Sequence, residues 1–235
     1  MSDANSMDAA AAKALALKKG FDKVGIVGPE LATGGPAWAR SVLVLGLATL
    51  DEAFDYEIYV AYDGQRRWGK FVYEMLEAKG ARLAGCLRAA GLRAEHLLFD
   101  NSISVIDLRV AAVAAGLGVE GLNGLVISAE YGPRIRFTAV FTDADWVRDK
   151  SLNDYYCLNC TRCWGACPTG AIGTHGFDRS LCIAEFNPTP EMAARQREMQ
   201  TYPTPVTRLQ CVACLTSCPV GRRRGVEMWV DVRDS

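Results

Sequence analysis

The sequence predicts an α+β fold in two parts, residues 1–150 and residues 151–235, and three observations carry that reading. Apolar runs of strand length, led by 41–48, alternate in the first part with stretches of helical period. Eight of the nine cysteines lie between Cys157 and Cys218. The polar stretch 143–154 separates the two regions as a linker.

Residues 9–19 have the pattern of an amphipathic helix ended by Gly20, and a short strand follows over 23–27. Gly34, Gly35 and Pro36 mark a loop. Residues 41–48, a continuous Val- and Leu-rich run, are expected to form a buried central strand. A helical pattern covers 59–90 and breaks at Gly80, giving two helices. Tyr56, Tyr59 and Tyr62 recur at three-residue steps and would share one face there; such a stripe packs in a core, while a phenol at a cavity mouth, Tyr62, can donate a proton. Cys86 sits among Leu83, Leu87 and Ala90 and is expected to be a small buried hydrophobe.

Residues 97–99 read as a strand. Ser104 and Asp107 resemble a capping box opening a helix over 105–115, which Gly116 closes. Asp100 falls between that strand end and helix start, the place of a cap or turn residue. Gly116, Gly118 and Gly121 spell G-x-G-x-x-G, but a dinucleotide fingerprint follows a strand and opens a helix. This one follows a helix and leads into the strand 125–128, which excludes NAD as its ligand. What the glycines offer is bare backbone that can lie flat against a planar ligand. Tyr131, Gly132 and Pro133 form a turn, and 134–142 alternates as a half-buried strand with Arg134 and Arg136 on one face, so 125–142 is expected to be a hairpin. Residues 177–185 and 191–199 read as helices. Arg222, Arg223 and Arg224 form a solvated face or a dock for an acidic electron donor.

The chemistry is concentrated in the cysteines. Cys157, Cys160, Cys163 and Cys167, followed by Pro168, reproduce the C-x2-C-x2-C-x3-C-P run of bacterial ferredoxins, in which three thiolates hold one iron–sulfur cube and the fourth reaches a second. Cys211, Cys214 and Cys218 with Pro219 repeat the ending of that run but lack one cysteine. Cys182 alone lies between the runs to supply it. The crossing rule then assigns Cys157, Cys160, Cys163 and Cys218 to one 4Fe-4S cluster and Cys167, Cys182, Cys211 and Cys214 to another. Zinc sites pair C-x2-4-C units at a distance and have no use for four cysteines in eleven residues. A disulfide framework belongs to small secreted scaffolds.

The formal net charge is -1, so no basic excess points to nucleic acid. No apolar run reaches the ~20 residues of a membrane span, and residues 1–12 lack the basic start and apolar core of a secretory signal. The expectation is a cytoplasmic protein without nucleic-acid or membrane partners, its thiols reduced or metallated.

Several segments, in order, resemble the cobalamin-dependent iron–sulfur reductases, namely the epoxyqueuosine reductases and reductive dehalogenases. They are residues 20–26, 39–44, 99–102, 115–118 with Gly121 and Asn123, 131–136, 141–143 and both cysteine runs with Cys182. The resemblance implies a nitroreductase-like domain over 1–150 that holds base-off cobalamin, followed by a two-cluster ferredoxin-like domain over 151–235. It places Asp100 on the aspartate taken as proton donor in epoxyqueuosine reductases, beside the cap reading. It gives Gly116, Gly118, Gly121 and Asn123 a position next to the corrin. Val119 and Leu122 stand where epoxyqueuosine reductases usually have Trp and Lys. Their C-terminal helical-repeat domain, used with transfer RNA, is not expected, since 17 residues follow Cys218, nor is the export signal of respiratory dehalogenases.

Three functions follow from this reading. One is a reductase passing electrons through two 4Fe-4S clusters to cobalamin and on to a small-molecule substrate, with a ferredoxin or flavodoxin as donor. Another is an activator that reduces the corrinoid protein of a methyltransferase. The third is a plain two-cluster carrier. A nitroreductase-like fold can also hold flavin, which its spectrum would reveal.

Overall fold

The computed structural model describes residues 7–62, 65–98, 102–157, 160–185 and 188–221. Asp100 and Arg222–Arg224 lie outside them, and so does the side chain of Tyr62. The chain opens with α1 (Ala9–Lys18), β1 (Lys23–Val27), β2 (Ser41–Ala48), β3 (Tyr56–Tyr62), β4 (Gln65–Lys70) and α2 (Phe71–Ala89). Next come β5 (Ala94–His96), α3 (Ser102–Val105), α4 (Leu108–Ala114), β6 (Val119–Glu120), β7 (Val126–Ile127) and β8 (Ile135–Thr142). It closes with α5 (Arg162–Ala166), β9 (Ile172–Gly173), β10 (Gly176–Phe177), α6 (Pro190–Met199), β11 (Thr201–Thr204), β12 (Thr207–Leu209) and α7 (Ala213–Ser217).

Two compact units share these elements, and neither is contiguous. One comprises Met1–Ala48, Glu74–Val119 and Ile135–Tyr155; the other comprises Thr49–Tyr73, Glu120–Arg134 and Tyr156–Ser235. The second unit therefore combines the cysteine region with two segments from earlier in the chain.

The first unit is built on an antiparallel sheet in the order β1-β2-β8-β5. β2 is central, with Val42, Leu43, Val44 and Leu45 fully buried, because a run that is apolar at every position has no solvent face to offer. β8 is equally enclosed, pairing with β2 from Ser41↔Thr142 to Ala48↔Ile135 and with β5 on its other edge. The expected half-buried hairpin over 125–142 is thus corrected: β8 pairs with strands far away in sequence, and the 125–133 segment closes on itself through a Ser128–Gly132 bridge. Helix α2 runs unbroken through Gly80, where a Cβ would meet His96 and Thr138 only at ordinary van der Waals distance. Cys86 on this helix is half-buried, not fully buried.

One strand signal and one helix signal resolve differently from the pattern. The strand expected over 97–99 forms three residues earlier, as β5. Asp107 is the N-cap of α4 itself, its Oδ1 accepting from the N–H groups of Arg109 at 2.9 Å and Val110 at 3.3 Å, while Ser104 belongs to the separate turn α3. Burial opposes ionisation of Asp107, but hydrogen bonds and the charge of Arg109 outweigh it and hold the carboxyl below its ordinary range. Asp107→Ala is expected to cost about 1 kcal/mol, read as a lower urea midpoint with unchanged metal content.

The expected linker 143–154 is docked on the first unit. Trp146 donates its indole N–H to Met7 O at 2.9 Å and its backbone N–H to Ser41 Oγ at 3.0 Å. Asp149 binds Lys13 Nζ at 2.6 Å and the N–H of Ile26 at 2.7 Å. Its polarity reflects backbone groups to be satisfied, not freedom.

In the second unit, β11-β12-β3-β4 form an antiparallel sheet. This replaces the helix expected from residue 59. On a strand, side chains alternate between faces, so Tyr56 and Tyr59 lie on opposite faces and form no stripe. Glu57 pairs with Arg208 across β3 and β12, both buried, at 1% and 7% side-chain exposure. Arg208 also stacks over Trp68 at 4.4 Å, and Trp68 contacts Tyr59 and Tyr202.

Candidate metal centres

The two cysteine runs fold into matching frames. Cys163 lies in α5 and Cys214 in α7, helices of five residues each that pack on one another. Each ends in a cysteine C-cap of extended backbone, Cys167 at φ -72° and ψ 114° and Cys218 at φ -70° and ψ 127°. The following Pro168 and Pro219 cannot continue a helix, so the last thiol of each run leaves its own turn. Thr161 is the one non-glycine residue with positive φ among the described residues, at 53°, and it turns the chain between Cys160 and Cys163. Such a backbone is uncommon for a side-chain-bearing residue.

Four of the thiols gather at one cavity. Cys157, Cys160, Cys163 and Cys218 line one cavity with Leu122, Asn123 and Ile127. Burial raises the Cys163 thiol above its ordinary range, and the neighbouring Cys157, Cys160 and Cys218 raise it further. Burial likewise raises Cys182 and Cys211, and Cys167 is a charged neighbour of both. Cys167 itself is lowered: burial acts upward, but the backbone N–H groups of Thr169, Ala171 and Ile172 and the Thr169 hydroxyl stabilise its thiolate. The N–H of Ala184 donates to Cys182 Sγ at 3.4 Å. Cys214 stands three residues from Cys211 on α7.

Thiols at three-residue steps are the donor set that iron–sulfur clusters use. Among the described residues no group of three or more His, Cys, Asp or Glu side chains is placed to hold a single metal ion. A cube binds each thiolate at its own iron and keeps the sulfurs apart. Trp164, between Cys163 and Cys167, has a buried indole N–H without an acceptor among the described residues, a donor that a sulfide-rich cluster would satisfy.

The four residues expected beside a corrin fall in both units, Gly116 and Gly118 in the first, Gly121 and Asn123 in the second. A Cβ on Gly116 would come within 2.5 Å of Lys150 O, and one on Gly121 would meet Ile127 at 2.6 Å and Asn123 Oδ1 at 2.8 Å. Packing within the protein accounts for both glycines. Asn123 is 4% exposed, accepts from the N–H of Leu125 at 3.2 Å, and borders the cavity of the four thiols. Sequence reasoning missed that Leu122 and Ile127 cover this cavity, since nothing in their type or spacing marks them.

The chain matches no protein-family model. It is 32% identical over 194 residues to an epoxyqueuosine reductase of Lactococcus garvieae, covering 78% of this chain and 52% of that protein. Over 130 residues it is 36% identical to a tetrachloroethene reductive dehalogenase of Desulfitobacterium hafniense, covering 52% of this chain and 23% of the relative. It thus spans about half, or less, of the length of these relatives. Among solved structures, an epoxyqueuosine reductase with an epoxyqueuosine-modified tRNA stem loop superimposes with a TM-score of 0.65 at 19% identity, covering 91% of this chain and 65% of that one. A reductive dehalogenase whose structure suggests a mechanism for B12-dependent dehalogenation gives 0.55 at 18%, covering 99% and 37%. The mixed α/β fold is shared with both. The tRNA complex corrects one expectation: a protein of this fold engages nucleic acid, so a net charge of -1 does not decide against such a partner. No helix among the described residues is long and apolar enough to cross a membrane. Epoxyqueuosine reductases and reductive dehalogenases are enzymes, and this chain belongs with them in one family of reductases.

Proposed function

We propose that the chain is a cytoplasmic iron–sulfur oxidoreductase that passes electrons through two 4Fe-4S clusters to a bound cobalamin and reduces an organic substrate. In this reading 151–235 is the ferredoxin-like domain, augmented by 49–73 and 120–134, and the rest of 1–150 is the nitroreductase-like domain. The observation that supports it best is that Cys218, from the second run, lines one cavity with Cys157, Cys160 and Cys163 of the first, as the exchange of last cysteines in two-cluster ferredoxins requires.

Cys157, Cys160, Cys163 and Cys218 would hold the first cluster and Cys167, Cys182, Cys211 and Cys214 the second. Gly116, Gly118, Gly121 and Asn123 are the residues that the resemblance assigns to the corrin, which would be held base-off and supply the cobalt at which the substrate is reduced; the space a Cβ would take at Gly116 and Gly121 is already filled by Lys150 O and Ile127. Asp100 and Tyr62 are the assigned proton donors, and a ferredoxin or flavodoxin is the assigned electron source. Iron, acid-labile sulfide and cobalt analysis of anaerobically reconstituted protein tests this directly. Two 4Fe-4S signals and about one cobalamin per chain are expected; retention of zinc in place of iron would overturn it.

The role of Asp100 has its own test. Asp100→Asn keeps the size of the side chain but cannot deliver a proton. Turnover of epoxyqueuosine or tetrachloroethene, the compounds for which the relatives are named, is expected to fall by ~10²-fold or more with cluster and cobalt content unchanged. Full turnover in the variant would return Asp100 to a turn or cap.

A further inference from the structure

Cys182 is the ligand that neither cysteine run supplies, and the loop that carries it is held in an unusual way. Three buried glutamines donate their side-chain amides to three consecutive carbonyls just beyond it: Gln200 to Ile183 O at 2.7 Å, Gln210 to Ala184 O at 2.9 Å and Gln196 to Glu185 O at 2.8 Å. Their exposures are 8%, 6% and 3%. Gln196 and Gln200 are one helical turn apart at the end of α6 and so share a face. Gln210 immediately precedes Cys211, and its Oε1 is engaged by Lys70. The turn is closed at its base by the N–H of Glu185 on Cys182 O at 3.1 Å and by the Arg179–Glu185 ion pair.

The three bonds are not equivalent. The peptide unit whose carbonyl accepts from Gln200 is the one whose N–H, that of Ala184, donates to Cys182 Sγ. Gln200, the Ile183–Ala184 peptide and the sulfur therefore form one chain of hydrogen bonds, in which each donor polarises the next. The peptide bound by Gln210 turns its N–H to Cys182 O instead. Gln196 binds the carbonyl of Glu185, one peptide further from the sulfur. Hydrogen bonds to cluster sulfurs are one of the levers that set reduction potential, because they favour the more negative, reduced state.

We propose that Gln200 is a positioning residue for the second cluster: it fixes Cys182 and, through the Ile183–Ala184 peptide, raises the potential of that cluster above what the thiolate alone would give. This rests on the two-cluster reading of the preceding section.

The test is an EPR-monitored redox titration of the reconstituted full-length chain, with iron and sulfide measured on the same samples. Gln200→Met fills the volume without an N–H, and the midpoint of the second cluster is expected to move to more negative potential while that of the first stays in place. Gln200→Glu is a second variant that places an acceptor and negative charge against Ile183 O; it should shift the same way and further. Gln196→Met removes a strap of the same loop without touching the peptide that reaches the sulfur, and both midpoints should hold. Selective loss of the second cluster in both Gln200 variants, with Gln196→Met intact, would also support the assignment. Unshifted potentials at full iron content in Gln200→Met would overturn it, as would an equal shift in Gln196→Met. A wild-type chain with a single cluster would instead overturn the two-cluster reading, and this proposal with it.

Discussion

Cys182→Ala is expected to abolish the second cluster and leave the first, with loss of about half of the bound iron or conversion to a three-iron centre. The reason lies in the supply of thiols. Cys182 is a charged neighbour of Cys211 and Cys167, and the remaining thiol outside the runs, Cys86, stands on α2 between Ala84 and Leu87, in the other unit. Within the second unit every thiol is already assigned a corner. Cys86→Ala is the matched control, and its iron content and reduced-cluster EPR signal should equal those of the parent chain. Loss of a cluster in the Cys86 variant, or full iron in the Cys182 variant, would show that the ligand sets are wrong.

Glu57→Ala is expected to destabilise the second unit by about 3–5 kcal/mol, because it strands the Arg208 guanidinium in a site with almost no access to water. The stacking on Trp68 at 4.4 Å returns only part of that cost. Urea unfolding of Glu57→Ala should show a clear fall in midpoint, and the double variant Glu57→Leu/Arg208→Met should recover most of the loss or exceed the parent, since an apolar pair of similar volume requires no desolvation. If the single change cost under about 1 kcal/mol, the value typical of surface pairs, the pair would be hydrated in solution.

The parts of the fold legible in the sequence are those where local pattern and tertiary role agree. The strand β1 starts and ends where the periodicity puts it, β2 shows its central position by being apolar throughout, and α6 carries its own Thr189 cap. The cysteine spacing also brings Cys218 to the same cavity as Cys157, Cys160 and Cys163, as expected where three-residue steps and a terminal proline serve cluster binding. The segment 56–70 was misread for a physical reason. Aromatic residues at three-residue steps fit a helix face as well as a strand, and the better signal was the Asp63-Gly64 dipeptide between two aromatic runs, a hairpin marker. Residues 177–185 carried a helical pattern too, yet they hold the end of β10, a single turn over Arg179–Leu181 and the Cys182 loop. There the glutamine straps from α6 and from Gln210 override local propensity, and no pattern within 177–185 records them. The docking of 143–155 on the first unit was hidden likewise, since Asp149 and Trp146 act on partners more than a hundred residues away.

The sheet that joins β3 and β4 to β11 and β12 also sets a schedule for biosynthesis. The β3–β4 hairpin leaves the ribosome long before β12 exists, and at roughly 5–20 residues per second the wait is on the order of ten seconds. During that time the edge of β3 that will receive Thr207, Arg208 and Leu209 is an unpaired template of the kind that recruits other chains. Glu57, at the middle of that edge, carries a charge that any foreign strand would have to bury without an arginine opposite. The residue that locks the finished sheet is thus also the guard of the nascent one, and the cation that releases the guard is brought by the correct strand.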